Sequence, residues 1–430
     1  DEKGFPGLPG GSRFCFGRPQ PLCGACQDHS QSSLVGNPTR DARTLKVIQM
    51  YMAKNPNVVI EPEYTSWVGY WDKIAAQAAA NNLPDVMQHD YAYLIQYVQK
   101  NLLMNLSPSI SLRKIDLSGV DPTYTSGGKV KGRYYGISLG TNAVCLVYDP
   151  AVLQKAGLAP PKNDWTWADF EKMATVIYQK TGVQTLPIFT TDPRVGFDNW
   201  IRQTGKAFFN PKDGASLGFT DEKLLIEFFD LQLRLLKAGV LVKPEVAFVT
   251  TTPAEDPFGK GNSWVQFVWS NQVIATQEGA KRPIGIALLP RIVTNYKRPG
   301  TYLKPSMFFS VSRSTKYKEE AVKFINYFIN DIEANKVLMG ERGIPIVPAV
   351  RDALKELLDP VNKQIFDYIA LVGNKNASPI DPPDPPNAGE VLKLFRTITQ
   401  EVLYGTITPK EAAARFIKEA NEILAKNKQQ

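Results

Sequence analysis

The sequence predicts an α/β protein built as two successive units, each a sheet covered by crossover helices. Three observations predict it. Helical and strand-like segments alternate from Asp41 onward, a similar rhythm restarts after Tyr148, and 430 residues with 43% hydrophobic and 21% charged can fill more than one core. In the first unit, Leu45, Ile48 and Met52 fall at helical spacing, and the helix stops at Asn55-Pro56-Asn57. Residues 58–64 read as a strand, and 67–80 as an alanine-rich helix with Trp71, Ile74 and Ala78 on one face. Residues 83–88 read as a short buried strand, followed by a helix through Lys100. After Tyr148, Thr166 and Asp169 have capping-box spacing at a helix start, and 186–190 is strand-like. Residues 221–238 form a long amphipathic helix closed by Gly239, and 264–269 is strand-like. Residues 307–312 read as a strand and 318–330 as a helix, and Thr408 opens a terminal helix with Pro409 in its first turn. Such alternation predicts parallel sheets. Residues 378–386, with Pro379, Pro382, Pro383, Pro385 and Pro386, read as a semi-rigid surface connector.

Composition removes several function classes. The net charge of +8 is spread without a block of five basic residues, so no nucleic-acid stripe is expected. No run reaches the ~18–20 apolar residues of a membrane-spanning helix. Cys15, Cys23, Cys26 and His29 have the spacing of a zinc knuckle, but they sit in a Gly- and Pro-rich segment without periodic structure to orient ligands. No metal or cofactor is expected. Residues 1–34 are read as disordered or foreign to the fold, and no apolar signal-peptide core precedes Cys26. Cys145, inside an apolar run, reads as a buried core thiol. There is no Gly-x-Ser-x-Gly elbow, Walker loop or His-Glu-x-x-His, and no carboxylate pair falls at adjacent strand ends, so no enzyme is expected.

Tyr70-Trp71-Asp72-Lys73-Ile74, followed by Asn82-Leu83-Pro84-Asp85-Val86, resembles the extracellular sugar-binding proteins of bacterial ABC importers, the maltose-binding-like receptors. Further pieces follow in family-like order: residues 135–142, 146–149, 155–158, 165–170, 269–272, 308–316 and Arg342-Gly343-Ile344-Pro345. Residues 33–37 depart from the family's first ligand-touching turn, which usually carries Trp-Trp-Gly. The resemblance implies a two-lobed periplasmic-binding-protein fold of type II with a hinge between lobes. The N-lobe is expected from residues 35–141 plus 306–330, and the C-lobe from 142–305 plus 331–430. It further implies a monomer that binds a carbohydrate between the lobes outside the cytoplasmic membrane, either periplasmic or anchored, and delivers it to ABC permease subunits. A glycoside hydrolase and a receptor for a non-sugar solute are the alternatives.

A sugar receptor needs amides and carboxylates for hydroxyls and aromatic platforms for C–H faces, at the carboxyl ends of strands and at lobe crossovers. Gln88, Asp90 and Tyr91 follow a strand directly, and Asp90 can also cap the next helix. Asn37, Trp67, Thr141, Asn142, Ser306 and Met307 are further candidates, with Trp67 equally compatible with a core role. Asn199 and Trp200 follow a turn-rich segment, and Trp200 reads equally as the first apolar residue of its helix. Trp269 and Ser270 end a strand in the family's aromatic-platform position. Arg342 resembles a ligand-contacting arginine and reads otherwise as a solvated helix-end residue. With Lys304, Arg342 and the positive charge, an acidic sugar is compatible, and the aromatic content suits an oligosaccharide.

Overall fold

A computed structural model of the chain describes residues 12–15, 38–64, 67–188, 194–249, 252–293 and 295–429. Two compact units emerge, one from residues 1–141 and 304–358, the other from 142–303 and 359–430. Asn37 lies outside the described residues, as do Cys23, Cys26 and His29; of Cys15 and Trp67 only the backbone is described.

The first unit is organised on a three-stranded sheet in which Phe308–Val311 runs antiparallel to both Val86–His89 and Ile137–Ser138. All four residues of the central strand are buried. Phe309 meets Phe328 edge-on at 4.9 Å, and Tyr51 meets Phe324 at 5.2 Å, so the helices Lys318–Asn330 and Pro38–Lys54 share one core. The helix over Trp67–Ala79 and the strand over Val58–Glu61 form near their expected positions, the strand ending before Pro62. Two expectations change. Ser12–Cys15, inside the segment expected to lack regular structure, is a strand paired in parallel with Val58–Glu61. Residues 331–358, expected in the other unit, belong to this one. Lys54 pairs with Asp331 at 2.8 Å and Arg43 donates to the Leu338 carbonyl at 3.1 Å, which draws the helix Ile332–Leu338 onto Pro38–Lys54.

The second unit is built on Val144–Tyr148, every residue of which is buried, flanked antiparallel by Gly285–Ala287 and Val265–Trp269. Cys145 is fully buried and free, and burial pushes its thiol up. The capping box expected at Thr166 forms, and the structure adds one at Thr408. Thr166 accepts from the Asp169 amide, and Thr408 from the Glu411 amide, each with the reciprocal carboxylate bond. Asp221 caps Glu222–Lys237, which ends before Gly239, whose φ of +72° suits glycine. Residues 186–188 form no strand; Gln184 and Thr185 make only isolated bridges, to Ser263 and Leu241.

The expected parallel sheets are therefore replaced by antiparallel ones in both three-stranded sheets. The reason is topological. The strands that complete each sheet, 308–311 in one unit and 265–269 with 285–287 in the other, are distant returning segments rather than the next strand of a βαβ repeat. Among the described residues no helix is long and apolar enough to cross a membrane.

His89 ends the strand Val86–His89 in complete burial, its ring 4.4 Å from Tyr97 and 6.0 Å from Trp71. Among the described residues neither ring nitrogen meets a hydrogen-bond partner, and burial pushes its pKa down to about 3. A depressed folded-state pKa makes the neutral imidazole's contribution complete above the ordinary value near 6.5, and that contribution is lost as pH falls towards about 3. His89→Phe keeps the ring contact and removes the titration. Across this window the parent should lose about 1.4 kcal/mol per pH unit relative to the variant. Urea midpoints at pH 7.5 and 4.5 check this, and parallel profiles would refute it.

Candidate functional site

In the first unit, the strand end at Gln88 and His89 turns directly into the helix Tyr91–Gln99, and Asp90 caps that helix by accepting from the Ala92 amide at 2.9 Å. Asp90 remains half-exposed, as do Gln88 and Tyr91. The Gln88 backbone carbonyl is held by the Tyr70 hydroxyl at 2.7 Å, so the amide side chain projects from a fixed base. Met307, half-buried, accepts from the Leu139 amide through its carbonyl. These four residues are a coherent polar and apolar surface at one end of the sheet.

The other first-unit candidates are committed within the fold. Thr141 is fully buried, its backbone exchanging bonds with Ile344 at 2.9 and 3.2 Å. Ser306 donates its hydroxyl to the Arg342 carbonyl, and a Cβ on Gly343 (φ +95°) would lie 2.7 Å from the Ser306 Cβ, so this turn requires glycine. Arg342 is 8% exposed rather than solvated. Its guanidinium donates to Thr44 Oγ1 at 3.1 and 2.9 Å and lies 3.9 Å from Asp41. It therefore clamps the turn before Gly343 onto the helix Pro38–Lys54.

In the second unit, Trp269 ends its strand half-exposed and meets Tyr302 edge-on at 6.1 Å. Ser270 is buried, its hydroxyl accepting from the Ala143 amide at 3.2 Å with Asn142 Oδ1 at 3.4 Å. It positions the half-exposed Asn142 rather than presenting itself. Asn199 is buried and donates to Thr301 Oγ1 at 3.0 Å, while Gln203 donates to Asn199 Oδ1 at 2.9 Å. Trp200 takes the core alternative, its ring 5.3 Å from Trp167 and 5.7 Å from Phe228.

Sequence reasoning stopped at Trp200 and missed the residue that organises this region. Arg202 is 1% exposed. It donates to the Gly300 carbonyl at 2.9 Å, to Ser378 Oγ at 2.8 Å and to the Pro379 carbonyl at 2.6 Å, and pairs with Asp381. Its guanidinium also lies over the Tyr302 ring at 4.5 Å. Arg298 reinforces the cluster through the Arg202 carbonyl at 3.0 Å, and Arg194 bonds Asp384 at 3.0 Å. Residues 378–386, expected to be only a connector, are thus fastened at both ends of an acidic pair. The available signal was the i, i+4 spacing of Asp198 and Arg202 on one helical face. Asp198 is buried, which pushes its carboxyl up to about 7 against the opposing pull of Arg202, with Asp381 and Asp384 adding to the rise.

Among the described residues no group of three His, Cys, Asp or Glu side chains could hold a metal ion. The accessible chemistry is an aromatic platform in the second unit, an amide in each unit and a carboxylate in the first, which suits reversible capture of a hydroxyl-rich solute.

The sequence profile of the bacterial extracellular solute-binding proteins matches residues 46–363. The chain belongs to that family. As a bacterial extracellular solute-binding protein it acts outside the cytoplasmic membrane. It is similar to a family 1 extracellular solute-binding protein from Alicyclobacillus acidocaldarius, at 29% identity, with 96% of this chain and 99% of that one covered and a TM-score of 0.83. It is also similar to a periplasmic oligogalacturonide-binding protein from Yersinia enterocolitica, at 21% identity, covering 91% and 98%, with a TM-score of 0.75. A third likeness is to an ABC substrate-binding protein from Listeria monocytogenes in complex with cycloalternan, at 18% identity, covering 96% and 98%, with a TM-score of 0.67. The fold of this solute-binding protein is therefore the two-lobed α/β fold of periplasmic solute-binding proteins.

The raised pKa of Asp198 sets a sign opposite to that of His89. A raised folded-state carboxyl contributes stability that is complete below the unfolded value of 3.8 and is lost as pH rises through about 7. Asp198→Asn removes this loss. The variant should match the parent near pH 4 and exceed it at pH 8, by about 1.4 kcal/mol for each unit of pKa separation. Equal midpoints at pH 8 in urea titrations would contradict it.

Proposed function

We propose that this solute-binding protein captures a carbohydrate, with an oligosaccharide as the best fit, and delivers it to the permease subunits of an ABC importer without altering it. The carrying observation is the Trp269–Tyr302 pair, a half-exposed indole set edge-on to a second ring at 6.1 Å beside the Asn142 amide. Sugars stack their C–H faces on such rings and pair their hydroxyls with amides and carboxylates. Gln88 and Asp90 supply the latter on the first unit. The saccharides named for the Yersinia and Listeria proteins lend further support. In this reading Gln88, Asp90, Tyr91, Met307, Asn142 and Trp269 contact ligand, while Thr141, Ser270, Ser306, Asn199 and Arg342 hold the surrounding backbone. The protein works as a monomer, in the periplasm or anchored to the outer face of the membrane. The chain passes between units at 141–142, 303–304 and 358–359, and these are the segments whose torsions are expected to change with ligand.

A thermal-shift panel of neutral and acidic oligosaccharides, amino acids and polyamines tests the reading. A ligand at 100 times its Kd adds about 2.7 kcal/mol of stability. A saccharide should raise the melting temperature and be recovered chemically unchanged, and Trp269→Ala should weaken it about tenfold or more. A shift by an amino acid or polyamine alone would overturn the carbohydrate assignment, and cleavage of the oligosaccharide would favour a glycoside hydrolase.

A further inference from the structure

Arg291 stands apart from the other arginines of the second unit's cores and ion pairs. Arg194, Arg202, Arg234, Arg282, Arg298 and Arg415 each bond a carboxylate, a carbonyl or both. The half-buried Arg291 guanidinium has no hydrogen bond or ion pair with any described residue; it rests over the Tyr296 ring at 5.4 Å. Its backbone, in contrast, is fixed on both sides. The amide donates to the Trp165 carbonyl at 2.8 Å, and its own carbonyl accepts from Trp167 at 3.0 Å. The result is a cation on a rigid base with unspent donors.

That cation lines a small, open recess lying wholly within the second unit. The floor is a closed amide relay. Gln203 donates to Asn199 Oδ1 and to the Pro290 carbonyl at 3.1 Å and accepts from the Ile292 amide at 2.8 Å, which pins the loop carrying Arg291. On the rim, the exposed Asn163 amide is uncommitted among the described residues, and Asn376 keeps its carbonyl oxygen as an acceptor while its amide bonds Leu371 and Asn374. No carboxylate lines the recess, and no Asp or Glu occurs anywhere from Gly279 to Lys318, a stretch that carries Arg291, Lys297, Arg298 and Lys304. A planar guanidinium backed by a ring, beside a neutral amide and free of counter-charge, is suited to a planar or tetrahedral anion that accepts two N–H donors at once. Neutral sugars use hydroxyl contacts that Asn and Gln satisfy equally well.

We propose that this recess is an anion subsite for a saccharide, with Arg291 gripping an acidic group, Tyr296 backing the guanidinium and Asn163 bonding the adjacent ring hydroxyl. The solute is then an acidic oligosaccharide. This rests on the carbohydrate reading above and narrows it. Two sources share the chemistry, the carboxylate of a hexuronic acid and the sulfate of a sulfated sugar.

Calorimetric titration of the full chain, parent and Arg291→Gln, tests it with three probes of matched length: a hexuronate oligomer, its carboxyl-reduced neutral counterpart and a sulfated oligosaccharide. The parent should prefer the uronate or the sulfated probe over the neutral one by about tenfold or more, and raised salt should narrow the gap. Arg291→Gln should abolish that preference while leaving affinity for the neutral probe and the melting temperature of the free protein unchanged. The charged probe that shows the Arg291-dependent preference identifies the source. Equal affinity for all three, or a preference that survives Arg291→Gln, overturns the subsite while leaving a carbohydrate receptor intact. If none of the three binds, while an amino acid or polyamine does, the carbohydrate reading falls and the subsite with it.

Discussion

The second unit depends on the burial of one guanidinium. Arg202 is almost wholly removed from water, yet each of its nitrogens has a partner: the Gly300 carbonyl, Ser378, Pro379 and Asp381. Removing a cation from water costs several kcal/mol and is recovered only with saturated, well-placed acceptors. The acceptors come from a loop about a hundred residues later in the chain and a proline-rich strap about 180 residues later. Neither segment has a helix or strand to hold it, so the guanidinium does that work. Because the Tyr302 ring lies on the same group, the position of the aromatic pair with Trp269 follows from it.

Arg342 plays a parallel part in the first unit. It joins the turn before Gly343 to Thr44 and Asp41, near the start of a helix some 300 positions earlier. In both units a buried arginine closes a long loop, which is where fixed geometry gains most over chain entropy. The half-exposed Gln88, Asp90, Asn142 and Trp269 stand on regular elements or at their ends, where a rigid frame fixes the backbone that carries them.

What could be read in the sequence was mostly local. The capping box at Thr166, the terminal helix opening at Thr408, the helix end before Gly239, the core position of Cys145 and the rhythm of helices and strands all depend on residues within a few positions of one another. The errors are long-range. Parallel sheets were expected because neighbouring segments alternate, whereas the central strand of the first sheet returns from beyond residue 300. Arg342, before Gly343-Ile344-Pro345, reads as a ligand-contacting arginine by resemblance or as a solvated helix end, and nothing nearby announces the Thr44 hydroxyl that takes its guanidinium. Trp200 could not be assigned until Trp167 and Phe228 were seen around it. At the candidate site, the strand-end placement of Gln88 and Asp90 is legible from pattern. The Arg202 cluster was not, since all but one of its partners lie far away in sequence.

The returning strands also impose an order on assembly. The sheet of the first unit lacks its middle strand until Phe308–Val311 exists, and the second unit lacks its packed helices Ala388–Leu403 and Pro409–Ala425 until almost the whole chain is made. An N-terminal fragment ending before residue 300 therefore holds the two outer strands of that sheet without the strand that pairs with both. A chain emerging from one end cannot complete either core early; closure of both is deferred to the last quarter, where non-local contacts are made together.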